Sequence, residues 1–298
     1  MKRNLLLTLF LILCVCLSAQ AVQGDAGKFS VAKDKQVYFS HGNLQYVQST
    51  NTWQFAELQY EFVGAANLTI GEDGNPVLAD TIDLFGWGTG HNPTLWSYDS
   101  NDYNEYVDWG VNRIGGDKPN TWRTLSVAEW RYLLTSRANA LKLRGSASIN
   151  GLFGMILLPD DWASLEGINY RDKWNLPKEY TLDEWQQMES QGAVFLPSTG
   201  VRTQTEVEPP KQAIYWSSTG TAQIAFGILI STCTLEIGSN SHPYFGGAVR
   251  LVQDVNNVTT HTETTRHSVL YAEKIARDGK LYILYNGNLY TVLATKVQ

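Results

Sequence analysis

Residues 122–134, "WRTLSVAEWRYLL", contain the start of a helix. Ser126 and Glu129 have the spacing of a capping box, in which the serine hydroxyl accepts from the third helical N–H and the glutamate reaches back to the cap N–H. The same spacing returns at Thr181 and Glu184 in "YTLDEWQQMESQG", again with tryptophan directly after glutamate. A glutamate beside an indole could also serve as a general acid with a raised pKa. Because the pattern occurs twice in the same helix-start context, we interpret Glu129 as a helix cap.

Two apolar runs follow the two predicted helices. Each begins with glycine and ends in Leu-Pro: "GMILLP" at residues 154–159 and "GAVFLP" at residues 192–197. Their length and aliphatic content predict buried strands, and proline ends such strands because it has no N–H for the next ladder bond. The chain is therefore expected to contain two helix-then-strand units.

Further strand patterns lie on both sides of these units. Residues 28–62 alternate β-branched and aromatic runs with turn residues, which is typical of short strands. Residues 67–120 are rich in Gly, Asn and Asp and are long for a connection, so this loop is expected to be functional or held by its own side chains. In the C-terminal half, four runs predict an antiparallel meander, namely residues 213–219, 224–231, 233–238 and 246–252.

The N-terminus has the layout of a cleaved secretory signal. Lys2 and Arg3 precede an apolar run from Leu5 to Leu17, which is too short to span a membrane, and the small-x-small "AQA" ends at Ala21. Cleavage there removes two basic residues and no acidic one, so the net charge changes from −6 to −8. An acidic chain without basic clusters argues against nucleic acid and anionic membrane surfaces as partners.

Cysteine usage limits the chemistry further. Cys14 and Cys16 lie in the predicted signal, so Cys233 is alone in the mature chain, which excludes an internal disulfide and a cysteine-based zinc site. A lipid anchor through Cys14 or Cys16 is the weaker alternative, because Leu13 and Val15 precede them where a lipidation signal has a small residue.

The predicted organisation has four parts. Residues 1–21 are the signal peptide, 24–254 the main domain, 255–267 a polar linker and 268–298 a small C-terminal β segment. Turn residues at 277–279 and 286–287 predict two hairpins in the last part, and a lone hairpin needs a partner surface. This segment also resembles terminal β segments that address secreted bacterial proteins to the cell surface, so surface-anchoring or secretion machinery is an expected partner.

Three motifs taken together resemble a known family: "WRTLSVAEWRYLL", "YWSSTG" and "GGAVRLV". They are similar to motifs of the secreted paralogous domains related to sulfatase-modifying-factor (formylglycine-generating) proteins, which have a C-type-lectin-like fold. The first is similar to the family's Arg-Leu-Pro-Thr-x-x-Glu-Trp-Glu-Tyr helix start, with departures at residues 124–126 and Arg131. The last is similar to the closing Gly-Phe-Arg strand, with Arg250 in the arginine position and residues 248–249 replacing phenylalanine.

The resemblance covers about residues 28–252, and similar secreted chains of gut-type Gram-negative bacteria carry close versions of "VYFSHGNLQYV", "DLFGWGTG" and "GAVFLPSTG". It implies an α+β, C-type-lectin-like (sulfatase-modifying-factor-like) domain with two short helices and antiparallel strands. Together with the predicted signal peptide, it indicates a secreted protein or one on the outer surface of a Gram-negative bacterium, and the short apolar run of the signal predicts no membrane span.

The catalytic groups of this family are missing. Its formylglycine-generating enzymes need a cysteine pair late in the domain, where this chain has only Cys233. The related iron-dependent sulfur enzymes need a histidine cluster, whereas the histidines here are scattered, at positions 41, 91, 242, 261 and 267. A non-catalytic function is therefore expected, because function depends on the site and not on the scaffold.

Enzymatic alternatives stay open at this point. One is a divergent enzyme of the sulfatase-modifying type. Another is a carboxylate-based hydrolase using Asp160 or Asp161, although strand-end aspartates are also common turn residues. Ser217 and Ser218 have no nucleophile-elbow context around them. A structural subunit of a surface appendage is a further alternative.

Two segments carry the candidate ligand-binding residues. Aromatic residues in or beside the long loop suit stacking on sugar C–H faces or anchoring a protein partner, namely Trp87, His91, Trp96, Tyr98, Tyr103 and Tyr106. The "DLFGWG" part of that loop is instead expected to pin it to the core. The second segment, "GSNSHPYFGG" at 238–247, lies where related lectin-like folds build their ligand face. An ordinary Gly/Ser turn is the alternative for this segment, whose candidates are Ser239, Asn240, His242, Tyr244 and Phe245.

An acidic stretch offers oxygen ligands at alternating positions, namely Asp99, Asn101, Asp102 and Glu105. Calcium prefers such oxygens, but the stretch lacks the glycine of an EF-hand loop. A solvated acidic loop is the favoured interpretation and calcium the alternative, and no other cofactor is predicted. We therefore predict a secreted or cell-surface, non-catalytic protein that binds a glycan or protein ligand.

Overall fold

A computed structural model describes residues 27–174, 176–203 and 205–255, together with the strands at 273–277, 280–285 and 288–291. The chain divides into two compact units between Val258 and Thr259, within the segment predicted to be a linker. The first unit is mixed α+β, with several small, mostly antiparallel sheets and few short helices. The predicted signal peptide lies outside the described residues.

The elements formed by the described residues of the first unit follow in chain order. Its strands are β1 (Phe29–Ala32), β2 (Lys35–Phe39), β3 (Leu44–Val47), β4 (Thr52–Phe55), β5 (Leu68–Ile70), β6 (Pro76–Leu78), β7 (Thr81–Ile82), β8 (Arg144–Ile149), β9 (Leu152–Leu157), β10 (Lys178–Tyr180), β11 (Val194–Pro197), β12 (Gln212–Gly220), β13 (Ala225–Ser231), β14 (Leu235–Ser241) and β15 (Val252–Asp254). Its α-helices are α1 (Val127–Arg131) and α2 (Leu182–Ser190), and α1 continues into a π-helical turn over Tyr132–Ser136. Short 3₁₀ turns lie at Gly64–Asn67, Ser100–Tyr103, Trp109–Val111 and Ala140–Lys142.

Both predicted capping boxes are confirmed. At α1 the Ser126 hydroxyl accepts from the backbone N–H of Glu129 at 3.2 Å, and the Glu129 carboxylate accepts from the backbone N–H of Ser126 at 2.9 Å. At α2 the corresponding Thr181 and Glu184 distances are 3.2 and 2.8 Å. The tryptophan after each glutamate is buried, so each cap fixes the helix start while the next side chain packs into the core.

The two predicted apolar runs form neighbouring strands of one sheet. β9 and β11 pair antiparallel, from Val194 opposite Leu157 to Pro197 opposite Gly154, and every residue of β11 is buried. β8 precedes β9 and pairs antiparallel with it, so the first helix leads to a hairpin and not directly to one strand. β10 lies on the other side of β8 in a parallel pair, giving the order β10-β8-β9-β11.

The predicted C-terminal meander is correct for three runs and wrong for the fourth. β12, β13 and β14 pair antiparallel in sequence order. Residues 246–251 are not a fourth antiparallel strand of this sheet but pass through the core, making single bridges that include Gly247 with Phe85 and, in parallel orientation, Ala248 with Tyr215 of β12. The chain then enters β15, which pairs with β2 of the N-terminal sheet.

The prediction of a fourth meander strand fails because Gly246 and Gly247 lie very close to residues of other segments. A Cβ on Gly246 would lie 2.6 Å from the Cβ of Arg202, and one on Gly247 would lie 2.8 Å from the indole nitrogen of Trp216. Only glycine fits there. The segment is therefore a buried crossing between sheets and not an edge strand.

Arg250, at the position that carries the family resemblance, lies wholly inside the unit. Its guanidinium donates to the side-chain oxygens of Asn43, at 3.3 Å, and Gln59. Burial lowers the pKa of Arg250 to about 10, so it remains a cation at neutral pH. Because the side chains of Asn43 and Gln59 bind it, Arg250 links the residue before β3 and the segment after β4 to residues 246–251.

The N-terminal strands form two three-stranded sheets, ordered β1-β2-β15 and β4-β3-β7, and a two-stranded hairpin of β5 and β6. The prediction that residues 28–62 are strand-like is correct up to Phe55 and wrong beyond it, because residues 56–62 form no strand. Residues 56–62 lead to Gly64, which has a positive φ of 57° and begins a 3₁₀ turn. A left-handed residue of this kind interrupts extended structure.

In the second unit, the described residues form a three-stranded antiparallel sheet. Its strands are β16 (Glu273–Arg277), β17 (Lys280–Tyr285) and β18 (Asn288–Thr291), in the order β16-β17-β18. The register places Arg277 opposite Lys280 and Tyr285 opposite Asn288, so both predicted hairpins are confirmed.

Candidate functional site

The two segments predicted to bind a ligand meet in the structure. The phenol rings of Tyr98 and Tyr244 contact each other edge to face, with centroids 6.0 Å apart. Beneath them, the backbone N–H of Trp87 donates to the carbonyl of Pro243 at 2.8 Å. The long loop and the turn after β14 therefore form one surface, although they are far apart in the sequence.

Four rings make up this surface, which we call the ring platform: Tyr98, His242, Tyr244 and Phe245. His242 stacks on Tyr244 with centroids 4.8 Å apart and an interplanar angle of 6°. Phe245 meets both of these rings edge-on, at 5.6 and 5.3 Å. Tyr98 is 44% exposed, His242 is exposed, and the other two are half-buried. Mutual contact holds the rings in place while part of their surface faces solvent.

The long loop is held under the platform by two aromatic side chains. The indole N–H of Trp87 donates to the carbonyl of Ser217 at 2.9 Å, and its ring packs on Tyr106 at 4.8 Å. The hydroxyl of Tyr103 donates to the carbonyl of Ser97 at 3.1 Å, next to Tyr98. These contacts fix the backbone from which Tyr98 projects.

Trp87 and Tyr103 therefore do not belong to a binding surface, which corrects the prediction for both. They are 3% and 1% exposed. Desolvation raises the pKa of Tyr103 to about 12, as expected for a phenol inside the protein. Their flat rings serve the fold, as predicted only for the "DLFGWG" part of the loop.

The other predicted residues of this loop lie in different places. Trp96 is half-buried, and its ring faces the guanidinium of Arg202 at 5.2 Å. His91 is exposed, but none of the ring contacts among the described residues includes it. Trp96 therefore borders the platform, while the structure does not bring His91 into it.

Ser239 and Asn240 belong to β14, which corrects their prediction as loop residues. They lie opposite Gly227 and Phe226 of β13. Extended backbone continues to Ser241 because the ladder with β13 does, with one irregularity of register near Gly227. The two side chains therefore come from a strand that leads directly into residues 242–247, which we call the platform turn, and Asn240 is exposed.

In the acidic stretch, Asp99 binds a neighbouring residue of the same stretch. The carboxylate of Asp99 accepts from the backbone N–H and the side-chain amide of Asn101, at 2.9 and 2.8 Å, which caps the 3₁₀ turn at Ser100–Tyr103. Asp102 and Glu105 are exposed. Within the part of the chain that the structure describes, no three His, Cys, Asp or Glu side chains are grouped to hold a metal ion.

A buried cation, Arg202, lies next to the platform residues. Arg202 is 1% exposed, and its Nη1 atom has no hydrogen-bond partner. Its Nε–H donates only a long bond, 3.4 Å, to the carbonyl of Leu84. None of the ion pairs between described residues includes Arg202. Burial lowers its pKa to about 10, so the guanidinium stays charged at neutral pH.

Main-chain bonds tie this arginine to the platform turn. The N–H of Arg202 donates to the carbonyl of Gly246 at 3.0 Å, and the N–H of Gly246 donates back to Arg202 at 2.8 Å. Gly246 directly follows Phe245, so the guanidinium is fixed relative to the rings. A local signal for this role is missing, because "GVRTQ" reads as an ordinary strand end.

Glu129 and Asp160, the carboxylates considered as catalytic groups, accept hydrogen bonds from neighbouring side chains and main chain. Burial raises the pKa of Glu129, but hydrogen bonds from Arg123, the Ser126 backbone and Lys35 outweigh this effect and hold the pKa below its usual value. Burial likewise raises the pKa of Asp160, and bonds from Ser30, Gln36 and Arg137 bring it below its usual value.

Ser217 is fully buried, and its hydroxyl donates to the carbonyl of Phe226 at 2.6 Å. Because Glu129, Asp160 and Ser217 all hold neighbouring elements together, the ring platform is the better candidate for contact with a ligand.

A scan against protein-family models and searches against curated proteins and solved structures found no match for this chain. In the described residues, no helix is long and apolar enough to cross a membrane.

Proposed function

We propose that this chain is a secreted or cell-surface, non-catalytic binding protein, and that the ring platform is its binding site for a glycan or protein ligand. The observation that carries the proposal is the meeting of Tyr98, from one predicted segment, with Tyr244 and its stacked neighbour His242, from the other. The C-type-lectin-like scaffold implied by the sequence motifs is part of this proposal. The signal-like N-terminus supports the location.

Partly exposed rings held in fixed positions suit a flat apolar ligand face. Sugar C–H faces stack on aromatic rings, and the hydroxyl and amide groups of Tyr98 and Asn240 supply adaptable hydrogen bonds beside them. A stable protein interface uses about 20–30 residues on each side. The platform has four rings, so of the two ligand types a saccharide fits its size better.

Arrays of glycans and of proteins, probed with residues 22–298, test the proposal. The first ligand found is then titrated against wild type and the single variants Tyr98→Ala and His242→Ala. Each variant is expected to weaken binding about tenfold, because one ring contact contributes about 1 kcal/mol and a tenfold change corresponds to about 1.4 kcal/mol.

Ile70→Ala is the matched control, since Ile70 is 71% exposed on β5 and is not one of the platform rings. All three variants should keep the melting temperature of the wild type. Absence of a ligand on both arrays would overturn the proposal. The same holds if the two ring variants bind as tightly as Ile70→Ala.

A further inference from the structure

We propose that the ligand is a saccharide carrying a carboxylate, and that Arg202 pairs with this carboxylate behind the ring platform. The inference rests on the proposed function and adds a chemical class to it. Its basis is a buried guanidinium that has an unpaired donor and no counter-ion among the described residues.

A buried cation without a partner is costly for a folded protein. Buried charges in proteins are normally paired with an opposite charge and hydrogen-bonded on all sides. Arg250 in the same unit also has an unpartnered nitrogen, Nε, and no ion pair among the described residues, but two side-chain amide oxygens accept from its guanidinium. Arg202 has one long bond to a carbonyl and the face of Trp96. It therefore lacks an anionic acceptor.

Three aromatic side chains lie near this guanidinium. It lies against Trp96, which is half-buried, and its charge acts on the hydroxyls of Tyr98 and Tyr103. Tyr98 is 44% exposed. A carboxylate bound beside the ring of Tyr98 would therefore approach Nη1 from the platform side.

The geometry favours a carboxylate over other groups. A guanidinium presents parallel N–H donors that match the two oxygens of a carboxylate. The surroundings are rings and main chain, so the pair would form in a medium of low dielectric constant, where it is screened less by salt than a surface pair. Stacking of the sugar face on His242 and Tyr244 would hold the carboxylate in position over Arg202.

The test compares acids with their uncharged esters on the full secreted chain. Trigalacturonic acid and sialyllactose are titrated by calorimetry beside their methyl esters, which have nearly the same shape but no charge. We expect at least one acid to bind about tenfold or more tighter than its ester. Arg202→Lys should weaken binding of that acid about tenfold and leave binding of the ester unchanged, because lysine keeps the charge and loses the paired donors.

The outcomes separate the two proposals. Equal binding of acid and ester, with both weakened by Tyr98→Ala, would overturn the carboxylate inference and leave the binding function standing. No binding of any saccharide or protein would overturn both. Tighter binding of a Glu-rich peptide than of either acid would replace the saccharide by an acidic peptide. If Arg202→Lys does not fold, the acid and ester comparison on the unaltered protein still decides.

Discussion

The side-chain amide of Asn67 donates a hydrogen bond of 2.6 Å to the carboxylate of Asp83, and its oxygen accepts from the backbone N–H of Asp83 at 2.8 Å. The second carboxylate oxygen accepts from the N–H of Val63, also at 2.6 Å. Asp83 is fully buried and begins the segment that leads to Trp87. The reciprocal pair therefore joins the first residue of the long loop to the segment that leads into Trp87.

This pair predicts a pH dependence of stability. Burial raises the pKa of Asp83 to about 6, against the opposing effect of its hydrogen bonds. The folded state thus takes up a proton more readily than the unfolded state, where the pKa is 3.8. The contribution of Asp83 to stability is largest below pH about 4 and decreases, by about 3 kcal/mol at most, as the pH rises through 6.

Urea unfolding of wild type and Asp83→Asn at pH 4.5 and 7.5 checks this dependence. The difference in unfolding free energy, wild type minus variant, should be larger at pH 4.5. Parallel pH profiles of the two proteins would show that Asp83 does not titrate between these values.

The two capping glutamates should differ in their effect on stability. Glu184 makes its cap and one ion pair, 3.3 Å to Lys178. Glu129 also accepts two bonds of 2.9 Å from the guanidinium of Arg123 and one of 3.0 Å from Lys35. We expect Glu184→Ala to cost about 1 kcal/mol, the usual value of a cap, and Glu129→Ala about 2–4 kcal/mol.

Denaturant unfolding measures both losses, and Glu129→Gln provides a further comparison. Glutamine keeps the return bond to the Ser126 N–H but loses the charge, so its cost should fall between those of wild type and alanine. Equal losses for the two alanine variants would contradict a role for Glu129 beyond capping.

Substitution of Trp87 should lower the free energy of unfolding and have little effect on ligand affinity. Trp87→Phe keeps an aromatic ring but removes the donor to the Ser217 carbonyl, which costs about 1–3 kcal/mol when the acceptor is buried. Because Trp87 is 3% exposed, the affinity for a ligand should fall less than in Tyr98→Ala. Chemical denaturation and calorimetric titration of the same two variants make the comparison. A larger affinity loss in Trp87→Phe would place this indole in the binding site itself.

Calcium should not stabilise the chain through the acidic stretch. The carboxylate of Asp99 is already used by the N–H groups of Asn101, and a calcium site needs six or more oxygen ligands. A calcium titration followed by the melting temperature should show no change. A rise in melting temperature that disappears in Asp102→Asn would contradict this expectation.

Local patterns account for the parts of the fold that the sequence predicts. The capping boxes at Ser126 and Thr181, the strands β9 and β11, the meander β12 to β14 and the C-terminal hairpins each depend on residues a few positions apart. β8 was not predicted because "RGSASI" has small residues and little apolar alternation. A signal was present, since Asn150 and Gly151 both have positive φ in the turn between β8 and β9, and Asn-Gly is a strong hairpin signal.

Long-range contacts account for what the sequence does not predict. The course of residues 246–251 depends on how closely Arg202 and Trp216 approach two glycines, which composition alone cannot reveal. The contact of Tyr98 with Tyr244 and the position of Arg202 behind it depend on the same crossing. The individual ring residues were predicted for the site, whereas the charge behind them requires the folded structure.

The main-chain bonds that hold the platform turn do not involve the side chains of residues 239, 240, 242 and 244. Trp87 bonds to Pro243, Arg202 to Gly246, and Phe85 to Gly247 through backbone groups alone. Positions 239, 240, 242 and 244 can therefore be randomised together without removing a single one of these bonds. The chain is a starting scaffold for a display library, in which new ligand preferences are selected on an unchanged framework.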